Sequence, residues 1–310
     1  MYNIYKSLIS ARVLRVSNID EINSIKSAYG FMINYEMVEQ KYSVMCNNHI
    51  DLQTELVLLS NKTMNCMTPA MLRYANCEIN RRIFNYLSSH YAYHEFMDEL
   101  YKDKIDKISI VDFKKIFEAE RSANEMLEFC WDLRHFYNHY GFPATGTKVY
   151  LNRQALPPAN APIITGIEMT CSRDELLKSR FRWSNESKIF LSKQDDHFEL
   201  LQYVLRSHHI WIVIHEKIRN IYSGELVNCF RRIINLFNEF SMEIGKDTFC
   251  IADESKVTKV DGDNAIIEHE VHIHCEFIER IKYYKENFSP KHCDGGTYVS
   301  LAPKEYSRRS

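Results

Sequence analysis

Apolar side chains recur at intervals of three and four residues along much of the chain, which is the period of an amphipathic α-helix. Ile25, Tyr29 and Met32 belong to the first such stretch, which predicts a helix over residues 20–60. The polar run at 46–48 predicts an interruption of this helix.

Capping signals bound the next two predicted helices. Thr68 followed by Pro69 predicts a helix start, because threonine caps the first turn and proline fits the first helical position. An apolar stripe then continues through "MLRYANCEINRRIFNYLSSHYAYHEFMDELY". A third helix is predicted over residues 109–140, where "GFP" ends it, because glycine favours a left-handed cap and proline cannot continue the hydrogen-bond ladder.

The pattern changes after residue 143. "TKVYLNR" and residues 163–169 predict short strands, and helical periodicity returns over 195–222 and 225–244, on either side of Ser223-Gly224. Alternating β-branched residues in "TFCIAD" and "KVTKVDGDNAIIEHEVHIHC" predict further strands, whereas "HCEFIERIKYYKENF" fits a helix as well as a strand. The predicted fold class is mainly α, with a small β element in the middle and in the C-terminal region.

Composition agrees with long helices and narrows the class of protein. Only 9 glycines and 7 prolines occur in 310 residues, and 39 basic against 41 acidic residues exclude a uniformly basic nucleic-acid coat. The 9 cysteines form an odd set without a C-x-x-C pair, which is typical of reduced cytosolic thiols. The first residues lack the apolar core of a signal peptide, and no apolar run approaches the ~20 residues of a membrane span. We therefore expect a cytoplasmic protein without a membrane partner.

The candidate chemistry lies at the end of the third predicted helix, in "DLRHFYNHYGFP". On a straight helix Arg134 and His139 are ~140° apart and ~7.5 Å apart along the axis, so the two side chains do not share a face. Fraying of the last turn could rotate His139, and in a symmetric pair of helices two such sets could converge on one cleft.

This pair of residue types suits RNA cleavage. A histidine takes the proton from a ribose 2′-hydroxyl or gives one to the departing 5′-oxygen, and a guanidinium stabilises the charge that develops on the phosphate. The nucleophile belongs to the substrate, so we expect no metal and no cofactor. The structural alternative is a helix C-terminus whose basic residues complement the helix dipole.

The same stretch carries a family resemblance. "LRHFYNHYGFP" resembles the R-x4–6-H signature of the HEPN superfamily, and with "CEINRRIFNYLSSHYAYHEF" it resembles a bacterial HEPN-like group over residues 71–143. The resemblance implies an antiparallel helical bundle that dimerises and a metal-independent endoribonuclease, often in a toxin–antitoxin or anti-phage system. His135 replaces the commoner asparagine of the signature, and the H-x-Y ending of some members is H-Y here.

The resemblance also implies roles for individual residues. Arg134 and His139 match the catalytic positions and His135 matches the accessory catalytic position, while Asn80, Arg82 and Asn85 match a substrate-binding or supporting face. Asp132, a candidate to orient Arg134 or His135, and Asn138 complete the supporting set.

The implied organisation has three parts. Residues 1–145 form the HEPN-like helical domain, 146–194 an irregular linker with short strands, and 195–310 a helical hairpin that completes the bundle plus a small α/β element. The expected partners are RNA, a second copy of the chain, and an antitoxin or defence-system protein. The alternative function is a non-catalytic HEPN-like binding or regulatory module, for RNA or for a protein, because some members of the superfamily are inactive.

Two further patterns have a functional and a structural interpretation. "KSRFRW" interleaves basic and aromatic residues, which is typical of a single-strand-binding surface but also of an ordinary linker that packs on a core. His208 and His215 lie two helical turns apart and fit either a metal site without its third ligand or core packing.

Overall fold

A computed structural model describes residues 2–7, 10–65, 68–102, 107–152, 164–240, 248–261, 264–267, 271–274 and 276–287. The helices are α1 (Ile19–Asn65), α2 (Pro69–Lys102), α3 (Lys107–Ala123), α4 (Glu125–Tyr140), α5 (Arg173–Lys178), α6 (Asn185–Ser192), α7 (Leu201–Glu239) and α8 (Glu276–Asn287). The strands are β1 (Tyr2–Ser7), β2 (Ser10–Ser17), β3 (Ala144–Asn152), β4 (Ile164–Ser172), β5 (His197–Glu199), β6 (Thr248–Asp253), β7 (Val257–Asp261), β8 (Asn264–Ile267) and β9 (Val271–His274).

These helices and strands confirm a mainly α fold with small antiparallel sheets in the middle and C-terminal regions. No helix within the described residues is both long enough and apolar enough to cross a membrane.

The described chain divides into two compact units. The first consists of Met1–Gln40 and Ile218–Ser289, and the second comprises, among the described residues, Lys41–Lys217. These bounds differ from the predicted 1–145, 146–194 and 195–310, because strands at the start of the chain pair with strands near its end.

The first unit is a sheet packed against helices. Its six strands lie in the order β7-β8-β2-β1-β6-β9, with β1 antiparallel to both β2 and β6. Successive side chains of a strand point to opposite faces, so Ile4 and Ile251 belong to the core with α1, α7 and α8, whereas Tyr5 and Cys250 form a smaller cluster.

A buried ion pair joins α1 to α7 within the first unit. Arg219 donates from Nε to Oε1 of Glu39 at 2.9 Å and from Nη2 to Oε2 at 2.7 Å. Burial of two charges requires such a paired geometry, so this contact fixes the register of the two helices in this unit.

The second unit is helical and carries the residues of the predicted site. Trp131 packs against Tyr91 and Tyr137 against Phe84, so α2 and α4 run antiparallel. The three-stranded sheet β3-β4-β5 follows α4 directly, and α6 packs against α4. The strands predicted over "TKVYLNR" and 163–169 correspond to β3 and β4.

Several predicted helix boundaries were wrong. α1 runs through the polar stretch at 46–48 without interruption, because Met45, Cys46 and His49 are buried and continue its apolar stripe. The helix predicted from residue 195 begins only at Leu201 and then continues past Gly224. A glycine inside a helix costs ~1 kcal/mol, which the buried residues on either side of it offset.

The helix predicted over 109–140 is two helices, α3 and α4, separated by Asn124. Asn124 is extended, with φ −134° and ψ 91°, and its side-chain amide donates to the Glu120 carbonyl at 2.9 Å. Asparagine competes with the helical backbone in this manner, which ends α3. Arg121 and the buried Glu128 pair across the break, with Nη2 of Arg121 2.6 Å from Oε1 of Glu128.

Candidate functional site

The predicted catalytic residues lie on the second half of α4. Leu133, Phe136 and Tyr137 bury one side of this helix, which leaves Arg134 and His135 half-buried and His139 exposed. His139 is helical, and α4 continues to Tyr140, with Gly141 as its C-cap. The φ of Gly141 is +97°, a backbone conformation that favours glycine, although its ψ of −158° is not that of the predicted left-handed cap.

Arg134 lies against α2. Its Cζ is 3.9 Å from the centroid of the Tyr91 ring, a cation–π contact, and its Nη1 is 3.4 Å from Nδ1 of His135. Tyr91 was not predicted as part of the site. Its position one turn after Leu87, on the same apolar stripe of α2, is the signal that could have identified it.

A narrow internal gap lies behind Arg134, between α2, α4 and α7, and its lining includes His90 and Trp211. Nε of Arg134, Nε2 of His90 and Nε1 of Trp211 are all buried without a hydrogen-bond partner among the residues that the structure describes. The gap is too narrow for a water molecule, so it is a packing feature of this conformation and not a ligand pocket.

His135, and not His139, contacts Arg134 directly. Burial lowers the pKa of His135 below its ordinary value, the charges of Arg134 and His139 lower it further, and Asp132 opposes the shift. His135 is therefore a neutral imidazole at pH 7, which can accept a proton or a hydrogen bond. His139 follows one turn later on the same side of α4, so the two histidines form one edge of the helix.

Asn80 supports the end of α4 from within the protein. It is fully buried, accepts from the Tyr137 hydroxyl at 2.8 Å, and donates from Nδ2 to the Asn76 carbonyl at 2.9 Å and to the Ala144 carbonyl at 3.3 Å. Both ends of its amide are thus bonded inside the fold. Asn80 has no exposed surface for a substrate.

Arg82 and Asn85 are not brought next to Arg134. Arg82 pairs with Glu78 at 2.9 Å, and with Glu55 and Asp51 at 3.4 Å each, so its guanidinium faces α1. Tyr91 is nine residues further along α2, which is ~900° of rotation and places it on the opposite side of the helix from Arg82. Asn85 is half-buried three residues after Arg82, on the same side as that arginine.

Hydrogen bonds from Arg81 and Arg82, with that of Arg81 the stronger, lower the pKa of Glu78 to about 2. Glu78 is therefore ionised at neutral pH, and Arg82 is compensated within the fold.

The last two predicted supporting residues differ in their surroundings. Oδ2 of Asp132 accepts from the backbone N–H of Ser184 at 2.8 Å, where Ser184 caps α6, so this carboxylate ties α4 to the chain before α6. Asn138 is exposed beside His139.

His208 and His215 of α7 belong to the core of the second unit. Nδ1 of His208 lies 3.0 Å from the Tyr86 hydroxyl, and Nδ1 of His215 lies 2.8 Å from the Tyr93 hydroxyl. Within the described ranges, no group of three or more His, Cys, Asp or Glu side chains is arranged to hold a metal ion. The packing interpretation of His208 and His215 therefore fits their surroundings.

Comparison of the chain with protein-family models, with curated proteins and with solved structures gives no match. The assignment of a function rests on the geometry above and on the resemblance of the α2 and α4 sequences to the HEPN signature.

Proposed function

We propose that this protein is a HEPN-like, metal-independent endoribonuclease that acts as a homodimer on RNA. The observation that carries the proposal is the contact of Arg134 with His135, with His139 one turn further at the exposed end of α4. A guanidinium, an imidazole in contact with it and a second, exposed imidazole are the groups that transesterification of RNA requires.

The reaction starts with the transfer of the 2′-hydroxyl proton to His139. The 2′-oxygen then attacks the adjacent phosphorus, and the bond to the 5′-oxygen breaks as that oxygen takes the proton back from the His139 imidazolium, which returns to its neutral form. Arg134 stabilises the charge on the non-bridging oxygens, and neutral His135 is the second proton or hydrogen-bond partner. The products are a 2′,3′-cyclic phosphate and a 5′-hydroxyl.

The purified protein should cleave single-stranded RNA in EDTA and leave DNA of the same sequence intact, because DNA lacks the 2′-hydroxyl. His139→Ala should abolish cleavage. His197→Ala is the matched control, because His197 is also exposed but lies on β5, and it should cleave as the wild type does. Cleavage that survives His139→Ala contradicts the proposal.

A non-catalytic binding or regulatory module is the second candidate, and one observation favours it. Because α4 stays helical through His139, the Arg134 and His139 side chains of a single chain diverge by ~140°. Overexpression separates the two functions. Toxicity of the wild type that Arg134→Ala removes supports a nuclease from a toxin–antitoxin or anti-phage system, with an antitoxin or defence protein as a partner, whereas an equally harmless wild type supports the binding module.

A further inference from the structure

The loop between α5 and α6 lies along α4 and reaches its last turn. Asp132 accepts from the N–H of Ser184 at 2.8 Å, Phe136 stacks on Trp183 with ring centroids 5.4 Å apart, and Tyr140 meets the edge of Phe181 at 5.6 Å. These three residues of α4 recur every fourth position and so form one stripe. The loop is thus held in place beside His139 by one contact at each turn of the helix.

The same contacts leave the basic residues of the loop free. Phe181 and Trp183 pack against α4, and Arg180 and Arg182 alternate with them along the loop. Both arginines are exposed, and neither forms an ion pair within the part of the chain that the structure describes. Packing explains the two aromatic residues of the loop but not two uncompensated guanidinium groups.

Exposed aromatic surface and positive charge occur together at the end of α4 and the loop between α5 and α6. Tyr140 is 46% exposed and Phe142 is 50% exposed, although both are large apolar side chains. The Tyr140 ring stacks on Phe136 at 5.3 Å and contacts Phe181 at 5.6 Å, and it still exposes nearly half of its surface. Residues 178–184, "KSRFRWS", contain three basic and no acidic side chains.

We propose that Arg180, Arg182 and the exposed part of the Tyr140 ring bind the single-stranded RNA next to the bond that is cleaved at His139. Guanidinium groups bind successive phosphates, and an exposed aromatic ring stacks on a base without regard to its identity. The identification of the strand as the flank of a cleaved bond rests on the proposed function, but the binding surface itself does not.

Binding is measured by fluorescence anisotropy with a labelled RNA of about 12 nucleotides, in the His139→Ala background so that nothing is cleaved. Arg180→Glu together with Arg182→Glu should weaken binding about tenfold or more, and should reduce the slope of log K against log salt by roughly 1.4, which is ~0.7 for each lost phosphate contact. Tyr140→Ala should weaken binding by roughly 1–3 kcal/mol, or about 5- to 150-fold, through loss of stacking.

Lys114→Glu together with Lys115→Glu is the matched control. These two lysines are exposed on α3 in the same unit, and their reversal changes the net charge by the same amount. We expect less than a ~2-fold change in affinity from it, apart from the general effect of net charge. An unchanged affinity in the arginine variant, or an equal loss in the lysine control, overturns the proposal.

The two proposals fail in different ways. If the wild type cleaves RNA in EDTA while the arginine variant binds and cleaves normally, the loop proposal is wrong and the nuclease stands. If no variant cleaves RNA but charge reversal at Arg180 and Arg182 still removes binding, the nuclease proposal is wrong and the binding surface stands.

Discussion

Two tyrosines of α4, three residues apart, differ in what their hydroxyl groups do. The hydroxyl of Tyr137 is buried and donates to Oδ1 of Asn80 at 2.8 Å, whereas Tyr140 is 46% exposed. Burial raises the pKa of Tyr137 well above its ordinary value, so this hydroxyl remains a donor at any ordinary pH. Asn80 in turn donates to the Ala144 carbonyl, which begins β3.

Tyr137→Phe should therefore destabilise the protein by ~1–3 kcal/mol, because Oδ1 of Asn80 loses its donor in a buried position. Tyr140→Phe removes the same oxygen at an exposed position of the same helix and should change the free energy of unfolding by less than ~0.5 kcal/mol. Urea unfolding of both variants measures the difference. Equal stability of the two variants would show that the buried hydrogen bond contributes nothing.

The contacts of Arg134 show which features of the candidate site can be predicted from the sequence and which depend on the packing of helices. The candidate residues and the end of the helix could be predicted from local sequence, because Arg134, His139 and Gly141 lie within one short stretch at the end of α4. The partner Tyr91 was not readable, because its approach depends on how α2 crosses α4. Conversely, Arg82 matched the family pattern but faces α1, where acidic residues neutralise it.

At the scale of elements, α1, α2 and α7 share a buried set of histidines in the second unit. The ring of His49 stacks on that of His208 with centroids 3.9 Å apart, and His90 lies edge-on to Tyr86 at 4.1 Å. Burial lowers the pKa of His49 to about 4, with the charge of His209 as a smaller cause, and it lowers the pKa values of His90 and His208 well below their ordinary value.

These shifts predict how stability depends on pH. The native state keeps His49 neutral while the unfolded chain protonates it near 6.5, so the stabilisation is complete above pH 6.5 and declines as the pH falls toward about 4. The loss from His49 alone is roughly 3 kcal/mol. Urea unfolding between pH 7 and pH 4 should show this decline. His49→Phe should remove the contribution of about one proton from the slope of the free energy of unfolding against pH. An identical pH dependence in this variant would contradict the prediction.

The elements that were predicted have local sequence signals, whereas the elements that were missed depend on contacts with distant parts of the chain. The start of α2 was confirmed, since Oγ1 of Thr68 accepts from the N–H of Met71 at 3.2 Å and Pro69 opens the helix. The continuity of α7 was missed, because Gly224 is a local breaker whose cost is offset by buried residues such as Ile218 and Leu226. β1 was missed because its partner β6 lies at the other end of the chain.

At the scale of the whole molecule, the geometry of α4 bears on how many chains make one site. Within one chain Arg134 turns toward α2, and His139 lies ~140° away around the helix axis. A two-fold axis beside α4 would place the Arg134 of one copy opposite the His139 of its partner. The homodimer is thus part of the proposed mechanism and not only a state of association.

Subunit mixing tests this arrangement directly. Arg134→Ala and His139→Ala should each be inactive alone, but a heterodimer of the two retains one intact site, built from the Arg134 of one chain and the His139 of the other. After unfolding and refolding of an equal mixture, half of the dimers are mixed and each has one of two sites, so about a quarter of the wild-type cleavage rate should return. A mixture that stays inactive while light scattering shows dimers contradicts a shared site, because residues of a single chain would then have to act together.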